Sequence, residues 1–461
     1  MSHGDVRRLY RLKDGVHSVR TASGEVALAA WPHLQEMGRL TAEQRSLLQV
    51  LSTDWSAEEL TERCPHDQAE TLLAMLSSGG WLITTVVCGD RPLFSSRPLV
   101  PHRKPLPPAE PRRLSRFVSV RRDGDEFVVE SPAAGAEVRL YDSRLAEPVL
   151  TACAAHRELP DVPPEAVRLL AGELADAGVL ATAAEAHSLS RAQWSPHELA
   201  FHHGSRLRGD HRMGQDFGGS YWAKGRFDAP PGKHPRWMEA AIELPRPDLD
   251  RLRVQDPALA EVMEARQSLR SYDEDTPLTV EELGEFLFRT ARVRATGSDS
   301  EGLDISSRPY PAGGAAYELE VYPLVRNVRG LDAGLYHYAP HGHRLHPIPA
   351  SATALRWLMK ASAAGMTGEA TPQVLLVIAT RFGRLAWKYQ AMGYALTLKH
   401  VGVLYQSMYL AATAMGLAPC ALGVGDSDAF AEATGLDYFE ETSVGEFALG
   451  SLPVARREGT G

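Results

Sequence analysis

The longest apolar stretch of the chain runs from Arg384 to Asp426 and predicts a buried helix. No carboxylate occurs between Arg384 and Gly425, and apolar residues occupy every face of the implied helix. A helix that is apolar on all sides is normally enclosed by other elements. Residues 401–418 are long enough to span a bilayer, but polar side chains interrupt them, so we expect a core or subunit-interface helix and no membrane contact.

Two side chains that can carry protons, Lys388 and Tyr389, stand near the start of this stretch. At its end, the glycine-rich residues 416–425 should break the helix and leave backbone amides free to approach a ligand. The pattern also fits a lysine that extends its charge to solvent from a helix terminus, beside a tyrosine of the core. The rest of the chain has to decide between these interpretations.

The same order of elements is predicted twice in the first 190 residues. Strands, then helices, then a final strand predict a winged-helix-like module at 1–95 and a second one at 114–190. The spacing L-x3-L-x3-G-x-L that begins at Leu72 recurs from Leu170, which indicates an internal duplication. A proline-rich stretch at 96–113 separates the copies, and we predict a stiff linker there.

A connecting arm is predicted at 191–245, where glycines and histidines interrupt any regular pattern. His197 and His202 lie five residues apart, not the four that would place two ligands on one helix face, so we expect no metal site. Mixed strands and long helices then predict an α+β domain at 246–461.

Two local signals in this domain are specific. Thr279 should cap a helix, because Glu282 three residues later completes a capping box. Residues 374–380 are continuously apolar and predict a strand buried on both faces.

Composition limits the classes of function. The 461 residues carry a formal net charge of -9, with 44% hydrophobic and 23% charged residues. This balance is typical of a globular protein and argues against nucleic-acid binding, so we expect the N-terminal modules to bind peptide. The N-terminus lacks the apolar run of a signal peptide, and the four cysteines show neither metal-ligand spacing nor a disulfide framework. A cytoplasmic location with reduced thiols is expected.

Two weak signals for an anionic ligand lie in the third domain. The first is a helix-to-loop junction whose two guanidinium groups and hydroxyl suit a phosphate; it consists of Arg266, Ser268 and Arg270. The second is a glycine loop before a predicted strand, formed by Pro311, Ala312, Gly313 and Gly314. No Rossmann or P-loop fingerprint accompanies them, which leaves little support for a nicotinamide or nucleotide triphosphate site.

Taken in this order, the motifs resemble the nitroreductase superfamily of flavin mononucleotide enzymes, and more narrowly its SagB-type azoline dehydrogenases. The resemblance covers roughly residues 194–453 and includes the Lys-Tyr pair at 388–389. It implies a nitroreductase-like FMN domain of the α+β class, with a mixed sheet and long buried helices, preceded by two winged-helix-like peptide-clasp modules. It implies FMN contacts from the Arg-Ser-Arg junction, from the glycine loop, and from Gln406, Leu422 and Gly423.

Two positions depart from the pattern that the resemblance leads us to expect. Ala312 stands where a serine is expected, so backbone amides must replace one side-chain hydrogen bond to the flavin. Glu318 stands where proline is usual, which alters the exit of the loop. Arg456 and Arg457 near the C-terminus could reach a phosphate, although a disordered tail is the simpler interpretation.

The activity implied by the resemblance is oxidation of thiazolines or oxazolines in a ribosomally made precursor peptide to thiazoles or oxazoles. FMN would accept a hydride equivalent, and oxygen would re-oxidise it without nicotinamide. The resemblance also implies a cyclodehydratase partner, homodimerisation through the FMN domain and a role in thiopeptide-like antibiotic biosynthesis. Two alternatives are an NAD(P)H-dependent, nitroreductase-like flavin oxidoreductase acting on a small molecule, and a non-catalytic peptide-binding scaffold.

The catalytic residues implied are Lys388 and Tyr389, and one of them must remove a proton from the ring. Lys388 can do so only if burial and nearby positive charge lower its pKa into the working range. The absence of carboxylates from Arg384 to Gly425 is compatible with that. Tyr389 could be the base instead, with Lys388 lowering its pKa, or it could orient the ring, and the sequence leaves these roles open.

Overall fold

The computed structural model describes residues 5–30, 33–99, 107–110, 112–152, 159–207, 213–237, 241–366 and 370–453. The chain divides into two compact units, residues 1–212 and 213–461. Buried apolar clusters occur within each unit, so each unit has a core of its own.

The first unit contains ten strands and eight helices within the described residues. The strands are β1 (Val6–Leu12), β2 (His17–Arg20), β3 (Val26–Ala30), β4 (His33–Gly38), β5 (Trp55–Ser56), β6 (Leu82–Cys88), β7 (Arg91–Pro98), β8 (Ser119–Asp123), β9 (Glu126–Glu130) and β10 (Ala136–Leu140). The helices are α1 (Ala42–Val50), α2 (Ala57–Thr61), α3 (His66–Ser78), α4 (Ala146–Leu150), α5 (Pro164–Ala177), α6 (Ala183–His187), α7 (Leu189–Ala192) and α8 (Pro196–Gly204).

A single seven-stranded antiparallel sheet joins the two predicted modules, in the order β5-β1-β6-β7-β10-β9-β8. Strand β7 pairs with β6 on one side and with β10 on the other. The prediction that a linker starts at Ser96 is therefore wrong at its N-terminal end, since residues 96–98 belong to this central strand. Pro98 is tolerated because it is the last residue of β7, where its missing N–H falls at the end of the ladder.

The repeated leucine-glycine pattern marks equivalent places in the two halves of this unit. Leu72 and Leu76 are buried in one core cluster, and the matching leucines of α5 are buried in another. Gly80 and Gly178 both have positive φ, +70° and +75°, as expected for residues that end a helix and turn into a strand. The winged-helix identity of the modules, their boundaries and their origin by duplication stay predictions.

The second unit contains eleven strands and seven helices in its described part. The strands are β11 (Gly218–Gly219), β12 (Ile242–Glu243), β13 (Ala295–Ser298), β14 (Asp304–Ser307), β15 (Leu319–Val325), β16 (Gly334–Ala339), β17 (Arg344–Ile348), β18 (Val374–Thr380), β19 (Tyr389–Gln390), β20 (Leu417–Leu422) and β21 (Thr442–Ser451). The helices are α9 (Leu249–Gln255), α10 (Leu259–Ala265), α11 (Val280–Ala291), α12 (Ala352–Gly365), α13 (Gly383–Ala386), α14 (Gly393–Ala414) and α15 (Ser427–Thr434).

The main sheet of the second unit has helices on both faces. Its seven strands run in the order β12-β17-β16-β15-β18-β21-β20. Helices α11 and α14 pack on one face, and α12 and α15 pack on the other. Every residue of β18 is buried, as its apolar sequence predicts, and the capping box of Thr279 and Glu282 opens α11. The predicted α+β class is confirmed.

The apolar stretch 384–426 forms several elements instead of one helix: α13, β19, α14 and β20 follow one another. Helix α14 buries one stripe of residues, whereas Tyr394 and Leu398 on another side are 42% and 40% exposed. The prediction that this helix is buried on all sides is therefore wrong for a single chain. Nor does the sequence after it simply break the helix, because residues 417–422 pair with β21 and use their backbone there.

Across the described residues, none of the helices has both the length and the apolarity that crossing a membrane would require.

Candidate active site

Lys388 and Tyr389 lie in the short connection between α13 and α14, where the segment after residue 213 encloses them. Strand β11 of that segment pairs with β19, which contains Tyr389. The backbone N–H of Tyr221 donates to the carbonyl oxygen of Lys388 at 3.0 Å. The predicted connecting arm therefore contributes directly to the surroundings of the Lys-Tyr pair.

An acidic residue from a distant hairpin meets Lys388. Asp299 follows strand β13, and its Oδ2 lies 3.2 Å from the Nζ of Lys388. The hydroxyl of Tyr221 donates to the same oxygen at 3.0 Å. The Lys388 and Asp299 side chains are only 14% and 12% exposed, so solvent screens this ion pair weakly.

The ion pair sets the protonation of Lys388. Burial acts to lower the pKa of Lys388, but its interactions with Tyr221 and Asp299 outweigh burial and raise the pKa above its ordinary value. Burial also opposes ionisation of Asp299, yet hydrogen bonds from the amides of Leu303 and Glu301, and then from Lys388, hold its pKa below the usual range. Lys388 is therefore an ammonium and Asp299 a carboxylate at neutral pH. The condition under which Lys388 would be the base, a pKa lowered by burial and nearby positive charge, is not met in this arrangement, because tertiary packing supplies a carboxylate that residues 384–425 lack.

Tyr389 also keeps its proton at neutral pH. Burial raises the pKa of Tyr389, while the charge of Lys388 acts to lower it. Tyr221 and Asp299 add to the raising effect, and the pKa of Tyr389 lies above its ordinary value. The attraction of Lys388 alone is thus not enough to make Tyr389 a phenolate.

The predicted glycine loop packs directly against the Lys-Tyr pair. Gly314 has φ +58°, and a Cβ there would lie 2.8 Å from the hydroxyl of Tyr389 and 2.9 Å from the Nζ of Lys388. Only glycine combines this backbone conformation with so close an approach. The structure therefore brings Gly314 together with both proposed catalytic residues, and Pro311, Ala312 and Gly313 lead into the same turn.

A buried arginine fastens the loop to its neighbours. The guanidinium of Arg384 donates to the carbonyl oxygens of Ala316, Pro230 and Asp304 at 2.5–2.9 Å. Burial, followed by the charge of Arg381, lowers the pKa of Arg384 to about 10, which leaves it charged at neutral pH. Arg384 thereby ties the loop to the arm and to strand β14.

The predicted phosphate-binding residues form a second cluster. The hydroxyl of Ser268 lies 2.8 Å from that of Tyr409 on α14, and the guanidinium of Arg266 stacks 5.2 Å above the Tyr409 ring. Burial raises the pKa of the Cys420 thiol, while nearby Arg270 acts to lower it. Considering the described residues alone, neither Arg266 nor Arg270 pairs with a carboxylate, so both charges are available to an anion.

The two clusters lie at different heights along α14. His400, which contacts the glycine loop, and Tyr409 are nine residues apart, roughly 14 Å at 1.5 Å per residue. Gln406 is exposed on α14 near the second cluster. The Leu422 side chain is buried in the core on the opposite face of the sheet, so only its backbone and the exposed Gly423 could meet a ligand.

Arg456 and Arg457 lie outside the described residues. Among the residues that are described, no group of three or more histidine, cysteine, aspartate or glutamate side chains is arranged to hold a metal ion.

Sequence reasoning missed Tyr221 and Asp299. Asp299 Oδ1 accepts from the amides of Glu301 and Leu303, both at 3.0 Å, so its sequence pattern is that of an ordinary turn. Tyr221 lies in a stretch without a regular pattern. Neither residue carries a local signal that links it to Lys388, which is 89 residues from Asp299.

Two regions of the chain match models of known protein families. Residues 263–451 match the family model described as the nitroreductase family. Residues 112–211 match the model described as cyanobactin oxidase ThcOx. Together with the relatives below, the two matches bear out the resemblance to the nitroreductase superfamily and to its SagB-type members.

Three curated relatives were found. "Putative nitroreductase MJ1384" of Methanocaldococcus jannaschii is 29% identical over 220 residues, which are 48% of this chain and 99% of that protein. The microcin B17-processing protein McbC of Escherichia coli is 35% identical over 116 residues, 24% of this chain and 42% of McbC. The trifolitoxin-processing protein TfxB of Rhizobium leguminosarum bv. trifolii is 33% identical over 110 residues, 23% of this chain and 30% of TfxB. The chain thus spans nearly all of the first relative but less than half of the other two.

Proposed function

We propose that the protein is an FMN-dependent dehydrogenase that oxidises thiazolines or oxazolines in a ribosomally made peptide to thiazoles or oxazoles. The observation that carries the proposal is the Lys388–Tyr389 pair packed against the glycine loop of a nitroreductase-family domain. The match of residues 112–211 to a cyanobactin oxidase supports a peptide substrate, as do the names of McbC and TfxB, which process microcin B17 and trifolitoxin.

The residues present fit FMN at two places. Arg266, Ser268 and Arg270 offer two guanidinium groups without carboxylate partners among the described residues, together with a hydroxyl, which suits a phosphate. The turn leaves no space for a Cβ at Gly314, and its bare backbone suits close approach of a flat ring. Gln406 and Gly423 are exposed and complete the proposed contacts. Bound flavin would supply the acceptor for the hydride equivalent.

The proposal includes a homodimer formed through the FMN domain. Tyr394 and Leu398 leave an apolar side of α14 exposed in the single chain, and burial of such a face favours association. Along α14, His400 at the glycine loop and Tyr409 beside the predicted phosphate-binding residues lie roughly 14 Å apart. A second copy of the chain could therefore supply further contacts that complete the FMN site. A cyclodehydratase partner, peptide or partner binding by the N-terminal modules and a cytoplasmic location belong to the same proposal.

The protein's own residues would manage the proton. The azoline ring carbon must lose a proton to a base, and both candidates hold their protons at neutral pH, Lys388 as an ammonium and Tyr389 as a phenol. One of them must therefore lose its proton before it can act. Asp299 opposes that loss in both residues, and it also holds the Lys388 ammonium in one place beside Gly314. We propose that the reaction speeds up as the pH rises through the pKa of the base.

The test is a visible spectrum of the purified full chain, followed by anaerobic mixing with a thiazoline-containing peptide and no nicotinamide. A yellow protein that bleaches on mixing is the expected result. Lys388→Ala and Tyr389→Phe variants would then assign the proton transfer. Flavin that stays oxidised until NAD(P)H is added would overturn the proposal in favour of a nitroreductase-like enzyme, and a protein that binds no flavin would favour a peptide-binding scaffold.

A further inference from the structure

Two buried polar residues beside the glycine loop have no part in the proposed reaction. Glu318 precedes strand β15 and is completely buried, and His400 on α14 is 6% exposed. The Nδ1 of His400 lies 2.8 Å from a Glu318 oxygen. The backbone N–H of Gly313 donates to the Nε2 of His400, also at 2.8 Å. A chain of hydrogen bonds thus runs from Glu318 through His400 to the loop.

The direction of these bonds determines the state of the imidazole. Nε2 accepts from Gly313, so it carries no proton, and the proton of the neutral ring is on Nδ1, where it is donated to Glu318. Without an acceptor at Nδ1, the proton could move to Nε2 and place a donor against the N–H of Gly313. Glu318 therefore selects the tautomer that can bind the loop.

Glu318 is an expensive residue to bury. Its second carboxylate oxygen, Oε2, has no hydrogen-bond partner among the described residues. Buried polar atoms are rarely left in this way, and an apolar residue would satisfy the local packing better. The contacts of the carboxylate therefore indicate that its role is to hold the glycine loop in place through His400, and not to stabilise the fold.

The backbone amides of the loop differ in whether they already make a hydrogen bond within the chain. The N–H of Gly313 is used by His400, and those of Ala315 and Ala316 donate to carbonyl oxygens of the loop itself. Gly314 is exposed, and its N–H makes no hydrogen bond within the described structure. It is also the residue at which an added Cβ would lie within 3 Å of Lys388 and Tyr389. Among the loop amides without a hydrogen bond in the described residues, which include that of Ala312, the amide of Gly314 belongs to an exposed residue beside the Lys-Tyr pair.

We propose that Glu318 and His400 are positioning residues, which hold the glycine loop so that the amide of Gly314 faces the flavin beside Lys388 and Tyr389. This inference rests on the proposed function for the identity of the ligand. It also gives one explanation for both departures from the expected loop sequence. The loop has Ala312 in place of a serine, and Glu318 in place of a proline holds that loop through His400.

The first experiment follows the loop without any cofactor. Hydrogen–deuterium exchange of the peptide spanning residues 309–317 is measured by mass spectrometry in the full chain and in Glu318→Leu and His400→Phe variants. Both variants should exchange at least tenfold faster there. Because Glu318→Leu also leaves the Nδ1–H of His400 without its acceptor, overall stability is measured separately by denaturant titration, and the increase in exchange at 309–317 should exceed any increase elsewhere in the second unit, a local effect that a merely structural residue would not produce.

The matched control is His346→Phe, which removes a histidine of the same 6% exposure from strand β17, outside the loop. It should leave exchange at 309–317 unchanged. The ¹⁵N signals of the His400 ring give an independent readout, in which the parent shows a protonated Nδ1 and an unprotonated Nε2, and Glu318→Leu shifts the ring toward protonated Nε2. Unchanged exchange and an unchanged ring in Glu318→Leu would overturn the positioning role.

The second experiment tests the ligand. FMN affinity, measured by fluorescence titration, should fall at least tenfold in Glu318→Leu and stay within twofold of the parent in His346→Phe. Faster exchange with unchanged FMN affinity would overturn the assignment of the loop to the flavin. A parent protein that binds no FMN would instead overturn the proposed function, while the exchange and ring measurements would still decide whether Glu318 and His400 position the loop.

Discussion

Replacing Asp299 with asparagine should shift the pH dependence of the reaction toward lower pH. Asp299 lies 3.2 Å from Lys388 in a mostly buried ion pair, and its charge raises the pKa of Tyr389 as well. Because the substitution keeps the size and hydrogen-bonding shape of the side chain, it removes mainly the charge. Whichever of the two residues is the base, its pKa should fall when the negative charge is gone.

The size of the shift follows from the geometry. An opposite charge within about 4–6 Å of a poorly solvated group changes its pKa by roughly one to three pH units. Each pH unit changes the deprotonated fraction about tenfold well below the pKa. The rising limb of the pH profile should therefore move down by about one to three pH units in Asp299→Asn, with the variant faster than the parent on the acidic side of that limb.

The assay is anaerobic bleaching of the flavin by a thiazoline-containing peptide, with kcat/KM measured across the pH range, because this ratio reports the free enzyme. Tyr221→Phe should move the limb in the same direction, since Tyr221 raises the pKa of both Lys388 and Tyr389. The control is Glu301→Gln. This substitution neutralises a carboxylate of the same hairpin, but that carboxylate pairs with Lys224 and not with Lys388, so the limb should stay in place. A limb that stays in place or moves upward in Asp299→Asn would refute the reasoning.

Three further predictions concern the loop, its anchor and a buried carboxyl group. Gly314→Ala should lower FMN affinity at least tenfold in a fluorescence titration, because the new Cβ would overlap Tyr389 and Lys388. Arg384→Met should lower the free energy of unfolding by roughly 3–5 kcal/mol in a denaturant titration, since three buried carbonyl oxygens lose their donor. Burial raises the pKa of Glu446 to about 7, so its proton is held more tightly in the folded state than in the unfolded one, and stability should fall as pH rises from about 4.5 to 7. Glu446→Gln should remove that loss, raising stability at pH 8 by up to roughly 3 kcal/mol with little change at pH 4.

Each of these has a comparison that isolates its cause. Gly172→Ala, at a helix position with no atom within 4 Å, should stabilise by up to about 1 kcal/mol and leave FMN affinity unchanged. Arg356→Met on the exposed side of α12 should change stability by less than about 0.5 kcal/mol. Equal effects in Arg384→Met and Arg356→Met, unchanged FMN affinity in Gly314→Ala, or a Glu446→Gln variant with the same pH dependence as the parent would each contradict the corresponding reasoning.

Much of the second unit could be predicted because its signals are local. The capping box of Thr279 and Glu282 involves residues three apart, and the burial of β18 follows from an unbroken apolar run. In the first unit, the conformation of Gly178 likewise follows from its place just after a helix. Helix caps, apolar runs and chain-reversing glycines depend on a few neighbouring residues, so one sequence contains the information needed to place them.

The candidate site could be predicted only in part, because local patterns identify its residues but not the contacts between them. The Lys-Tyr pair and the glycine loop could be singled out by sequence, but their contact through Gly314 depends on how α13 packs on the loop. The extent of β7 was also missed, since the proline that argued for a linker sits at the end of a strand whose partner lies 38 residues away.

By itself, the sequence determined the class of the fold, and it carried the family resemblance and the residues that we propose for a flavin site. Tertiary structure alone decided the electrostatics of that site, because it places Asp299 against Lys388 and Glu318 against His400 across 89 and 82 residues of chain. A pKa depends on the charges and the burial around a group, and those are set by segments that no local pattern connects. Lys388, one of the two candidate bases in the sequence, is thus one half of a mostly buried ion pair.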